Sequence, residues 1–133
     1  MSFILIFMVT FVVFMGVDLI WLGVIAKSLY KKHLGYFMAE KPNWYAAVLF
    51  YVLFNMGLIY FAVYPALTHD SGLLAFLNGG LYGFFTYVTY DLTNLATLKK
   101  WPVKIVVIDI TWGTMLGMAV SYISYVVITA FHI

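Results

Sequence analysis

Tyr90-Asp91-Leu92-Thr93-Asn94-Leu95-Ala96-Thr97-Leu98-Lys99-Lys100-Trp101-Pro102-Val103-Lys104-Ile105-Val106-Val107-Ile108-Asp109 is the stretch on which the fold turns. Before it, the chain is predominantly apolar from Leu73 to Leu98; after its break, it is so again from Val103 to about Ala130. Each run meets the ~20 residues that a helix needs to cross hydrocarbon. Lys99-Lys100-Trp101-Pro102 separates them, with cations at one helix end and a proline that cannot continue the helix. No water is present in lipid to satisfy backbone N–H and C=O groups, so the spanning segments must be helices.

Two more such runs lie upstream, from about Phe3 to Ala26 and from Trp44 to about Tyr64. Their boundaries carry ordinary punctuation. Lys31-Lys32-His33-Leu34-Gly35 reads as a helix end, and Pro42-Asn43 precedes the second helix. Pro65 and Thr68-His69-Asp70-Ser71-Gly72 read as a short turn between helices two and three. The expected fold is therefore all-α: a polytopic transmembrane four-helix bundle, one domain over 1–133, with helices at about 3–26, 44–64, 73–98 and 103–130. Composition agrees, because 65% of the 133 residues are apolar and only 9% charged. Soluble domains are about a quarter charged. With no cysteine in the chain, disulfides and thiolate chemistry are excluded. The first run has no basic residues before it and no small-x-small site after it, so it reads as a retained helix rather than a signal peptide.

All seven basic residues are lysines. Lys27, Lys31, Lys32 and Lys41 lie in the first loop; Lys99, Lys100 and Lys104 flank the third. The positive-inside rule then places loops one and three in the cytoplasm and both termini outside. Tyr30, Tyr36, Trp44 and Trp101 fit an aromatic belt at the inner interface. The lysine-rich loops suit anionic lipid headgroups, and a net charge of +2 confined to them gives no reason to expect nucleic acid.

Three aspartates fall inside apolar runs: Asp18, Asp91 and Asp109. A carboxylate in the membrane costs ~2.5–3.5 kcal/mol on insertion scales, so such residues point to a functional site. At ~1.5 Å rise per residue, Asp18 and Asp91 lie about 12–14 Å from Lys27 and Lys99. On the same scale Asp109 lies about 7–8 Å from Lys104. All three then occupy the cytoplasmic half at similar depth. Asn94 joins that level, and Asn55 sits deeper. Asp18-Leu19-Ile20-Trp21-Leu22 and Asp91-Leu92-Thr93-Asn94-Leu95 share a pattern, which suggests two parallel helical-hairpin repeats.

On helix three, Gly80, Gly83, Tyr87, Tyr90, Asp91, Asn94 and Thr97 share a side; on helix four, Asp109, Gly113, Gly117 and Ser124 do. Gly79-x-x-x-Gly83 and Gly113-x-x-x-Gly117 permit close backbone approach. On helix one, Asp18 and Trp21 lie opposite Gly16 and Gly23, which hints at a homodimer. Asp109 is near a helix N-terminus, where negative charge is favoured; Asp18 and Asp91 lie toward C-terminal ends, where it is not. Those two need protonation, a snorkelling lysine or a bound cation.

The phrases beginning at Asp18, Tyr90 and Asp109 together resemble a family of small bacterial membrane proteins classed as domain of unknown function 2177. The resemblance spans nearly the whole chain. It implies a four-helix, multi-pass protein of the bacterial inner membrane, and it supplies no activity or catalytic residue.

The favoured functional expectation is a small-solute carrier coupled to a proton or cation. Asp18, Asp91 and Asp109 would bind the ion, with Asn94 and Asn55 as polar contacts. Trp21 and Trp112 would wall the site, beside Tyr87 and Tyr90. No cofactor is expected, although three carboxylates and Asn94 would suit Mg²⁺. That admits an alternative, a metal-assisted enzyme acting on lipid at the cytoplasmic leaflet. A non-catalytic assembly partner is a third, and in it the acids would be hydrogen-bonded staples fixing helix register.

Overall fold

The computed structural model describes residues 2–38 and 41–133, with side chains except those of 24–26. Among the described residues there are helices and no strands. In chain order they are α1 (Phe3–Ile20), α2 (Lys27–Leu34), α3 (Trp44–Leu58), α4 (Tyr64–His69), α5 (Gly72–Thr97) and α6 (Val103–Ala130). Wide π-helical turns, Trp21–Ala26 and Ile59–Val63, join α1 to α2 and α3 to α4 without breaking the rod. Three rods are long and apolar enough to span a bilayer: Phe3–Gly23, Trp44–His69 and Val103–Ala130. The fourth, α5, is of similar length and less apolar; α6 packs along it more extensively than any other pair of elements pack.

Local signals set the starts. The Asn43 side chain accepts from Ala46 N–H at 3.2 Å at the head of α3. Ser71 does the same for Leu74 N–H at 3.2 Å at the head of α5. Pro102 caps α6.

One boundary differs from the sequence expectation. Pro65 lies inside a helix, and the turn shrinks to Asp70 and Ser71, with Asp70 left-handed at φ 47°. Proline is tolerated there because the preceding turn is wide, so the ring does not meet a regular α-helical ladder. The carbonyl four residues back, that of Phe61, gets no N–H from Pro65. Asn78 of α5 donates its amide to that carbonyl at 3.1 Å.

The apolar core fills the middle and the terminal end of the bundle. Phe14, Phe54, Leu58, Ala62, Leu116 and Val120 form its centre. Ile6, Ile59, Val63 and Ile128 close the end where both termini lie. The opposite end carries the lysines, and there the Tyr36 hydroxyl donates to the carbonyl of Lys100, tying the first loop to the third. Most of the outward-facing large side chains are aliphatic or aromatic, as lipid contact requires.

The α5–α6 contact depends on glycine. A Cβ on Gly83 would strike the carbonyl oxygen of Gly113, and one on Gly117 would strike that of Gly79. Gly16, by contrast, faces open space. Gly83→Ala should therefore destabilise the protein by about 1–3 kcal/mol, whereas Gly16→Ala should change stability by less than about 0.5 kcal/mol, both read from unfolding in mixed detergent. Asn78→Ala should cost about 1 kcal/mol, and most of that cost should vanish in a Pro65→Ala background, where residue 65 regains its N–H. A double-mutant cycle with no coupling would refute the link between Asn78 and Pro65.

Candidate functional site

At the lysine end the helices diverge around a cavity of about 470 Å³. Asp18 enters from α1, Asp91 from α5 and Asp109 from α6, and all three line it. They are only 8%, 0% and 9% exposed, in that order, so none is a surface charge. Trp21, Trp112, Tyr87 and Tyr90 line the same cavity. Asn94 and Asn55 do not. Asn94 is half-buried on α5. Asn55 is fully buried and donates to the carbonyl of Tyr51, one turn back on its own helix, at 2.8 Å.

Each acid has a different environment. Asp109 accepts a hydrogen bond from the Tyr30 hydroxyl at 2.6 Å. Asp18 lies within reach of the Trp112 indole N–H. Asp91 meets the carboxyl group of Asp109 across the α5–α6 contact, and neither of its oxygens has a protein donor among the described residues. Tyr87 lines the cavity together with all three acids. Its ring occupies the space that a side chain at Gly113 would fill.

The walls are aromatic. Trp21 and Trp112 stack with centroids 4.3 Å apart and planes 6° from parallel. Tyr30 meets Trp21 edge-on at 6.4 Å. From the third loop, Trp101 closes the cavity and packs edge-on against Tyr90 at 6.0 Å and beside Phe37 at 5.5 Å. Lys100 is left-handed at φ 62°, and the proline after Trp101 favours extended backbone there. Together they turn the Trp101 ring inward, to 8% exposure, with its indole N–H unpartnered.

Tyr30 and Trp101 were expected in an interfacial belt, and the structure places both against the acids. In an unbroken α-helix Tyr30, twelve residues past Asp18, would lie about 120° around the rod at ~100° per residue. The wide turn Trp21–Ala26 advances fewer degrees per residue and winds Tyr30 back toward the face of Asp18. Its signal in sequence is slight, since the turn is built from ordinary apolar residues. Lys27, a candidate snorkelling partner in the sequence, lines the cavity, and so does Tyr51, which was not singled out from the sequence. His33 lies outside the lining. Among the described residues, no three histidine or carboxylate groups approach closely enough to hold one metal ion.

The family described as "Predicted membrane protein (DUF2177)" matches residues 3–126. The chain belongs to that family. No curated protein and no solved structure matches it. The DUF2177 match takes in every residue that lines the cavity, from Asp18 to Trp112.

Burial, and then the bond to Asp109, hold the Tyr30 phenol above its usual range. An unfolded tyrosine loses its proton near pH 10, whereas the folded one keeps it. The stability from this phenol is thus fully present below about pH 10 and declines as pH rises beyond it. Tyr30→Phe should cost about 1.5–3 kcal/mol at neutral pH, the range for a hydrogen bond to a charged group. It should also flatten the alkaline fall in stability relative to the parent protein, measured by unfolding across pH 8–12.

Proposed function

We propose that this membrane protein is a four-pass carrier whose buried acids exchange a proton with a small cationic or cation-coupled solute. A single observation carries the proposal. Asp91 is wholly buried, has no protein donor for either oxygen among the described residues, and faces a second carboxyl group, that of Asp109, beside a cavity. Two facing carboxylates cannot both remain ionised and unpartnered in so dry a place. One proton shared between them, or one cation held by them, satisfies the pair. Because the same oxygens serve both, proton and cation exclude one another, and exclusion of that kind is the basis of coupled transport.

The titratable groups that line the cavity with Asp91 come from every rod around it. They are Asp18 from α1, Lys27 and Tyr30 from α2, Tyr51 from α3, Tyr87 and Tyr90 from α5, and Asp109 from α6. Lys27 is the one basic side chain among them and stands at the exposed margin. The other lysines are exposed at the same end, which suits the anionic headgroups of a cytoplasmic leaflet. With that end inward, the termini lie outside and the cavity opens toward the cytoplasm.

The alternatives have less behind them. For a metal-assisted lipid enzyme, no set of three carboxylate or histidine ligands gathers among the described residues. The glycine stripes of α5 and α6 are not free for an assembly partner, because Gly79, Gly83, Gly113 and Gly117 are consumed within the α5–α6 contact or beneath Tyr87. Gly16 and Gly23 face open space and would be the surface for a homodimer.

Infrared spectra of the reconstituted protein test the shared proton. A protonated-carboxyl band should be present at neutral pH, should disappear in Asp91→Asn and should shift in Asp109→Asn, which removes the second half of the pair. A spectrum with all three acids ionised throughout, or a band untouched by either substitution, would refute proton exchange at this site.

A further inference from the structure

We infer that the cavity is built for an alkylated ammonium group, seated with its charge toward Asp91 and Asp109 and its alkyl groups on the aromatic wall. This rests on the carrier proposal for the same site and names the chemical class that the site would take.

Three observations lead there. First, eight of the seventeen residues lining the cavity are aromatic and three are aspartate. Aromatic faces attract organic cations through the negative face of the ring, and desolvation strengthens that attraction. A strongly hydrated ion gains less from such a wall, because few polar atoms replace its water. Second, Asp91 and Asp109 meet while Asp18 enters from another helix, and among the described residues the three acids do not gather into one metal-ligand set. A cation whose charge is spread over several alkyl groups fits that spacing. Third, two buried polar groups on the lining lack partners: the Asp91 carboxylate, which would face the charge, and the Trp101 indole N–H. A hydroxyl or ester oxygen attached to the ammonium would accept from Trp101. The volume, about 470 Å³, lies within the ~300–1,000 Å³ of small-molecule sites.

The ammonium group has two sources, a free small molecule or the headgroup of a lipid. Lys27 lies on the margin of the cavity, where it would meet a phosphate attached to the ammonium, so both sources suit the same site.

The probe is choline, set against 3,3-dimethylbutan-1-ol, its uncharged carbon analogue of nearly the same shape. Tryptophan fluorescence reports occupancy, because Trp21, Trp101 and Trp112 line the cavity and Trp44 does not. In purified protein, choline should give a saturable change, and the neutral analogue should bind about tenfold or more weakly, the loss of cation–π and charge attraction together. Asp91→Asn should weaken choline by a similar factor. If that variant does not fold, the comparison of choline with its neutral analogue in the parent protein decides alone. Equal response to both compounds, or no saturable response to choline, overturns the inference. Discs of phosphatidylglycerol alone, compared with discs containing phosphatidylcholine, separate the sources. Choline binding suppressed by phosphatidylcholine assigns the site to a lipid headgroup, and binding indifferent to it assigns the site to a free solute. Saturable choline binding without a shared carboxyl proton would keep this inference and remove proton exchange. A shared proton without choline binding would do the reverse.

Discussion

The close approach of α5 to α6 is the contact on which the rest of the molecule depends. It exists because Gly83 and Gly117 present no side chain to the opposing carbonyls of Gly113 and Gly79. In lipid, apolar surface gives helices little reason to prefer each other over solvent, so dispersion between closely fitted backbones takes a larger share. The approach also sets the chemistry. Asp91 lies two turns beyond Gly83, and Asp109 lies one turn before Gly113, so antiparallel contact through the glycines carries the two carboxyl groups into the same space. Gly113 serves again by leaving room for the Tyr87 ring, whose hydroxyl then stands among the acids.

Around that contact the bundle divides its length between packing and polarity. The terminal end and the middle are filled by Ile6, Phe14, Phe54, Leu58, Leu116 and Ile128. The lysine end is held apart by bulky rings, Trp21 on Trp112 and Trp101 on Tyr90, which keep water scarce without filling the space. The bond from Tyr36 to the Lys100 carbonyl ties the two loops that border this space. Burial of three carboxyl groups is costly in such surroundings. Tyr30 offsets it for Asp109, whereas the Asp91 oxygens have no protein donor among the described residues.

Much of this was legible in the chain. Hydrophobic run length gave the helices, and the facial positions of Asp91, Tyr87 and Gly83 on one rod and of Asp109 and Gly113 on another follow from the helical period. The departures have local physical causes. Pro65 looked like a terminator because proline usually ends a regular helix, but a wide turn before it and the Asn78 amide beside it let the rod continue to His69. Tyr30 and Trp101 looked interfacial because both lie next to lysines. Asn94 and Asn55 looked like site residues because they are polar and near the right depth, yet neither lines the cavity.

By itself, then, the sequence determined an all-α membrane protein, glycine spacings on two helices that permit close backbone approach, and three acids inside apolar runs. These follow from nearest-neighbour chemistry and a constant helical period, which need no knowledge of the partner helices. Tertiary structure alone decided that Tyr30 donates to Asp109, that Trp101 folds inward, and that Asp91 has no protein donor. Each depends on where backbone leaves the ideal period, at the Trp21–Ala26 turn and at left-handed Lys100. Small changes of angle there accumulate along a rod, so a few residues of irregular backbone select which side chains reach a site a dozen residues away.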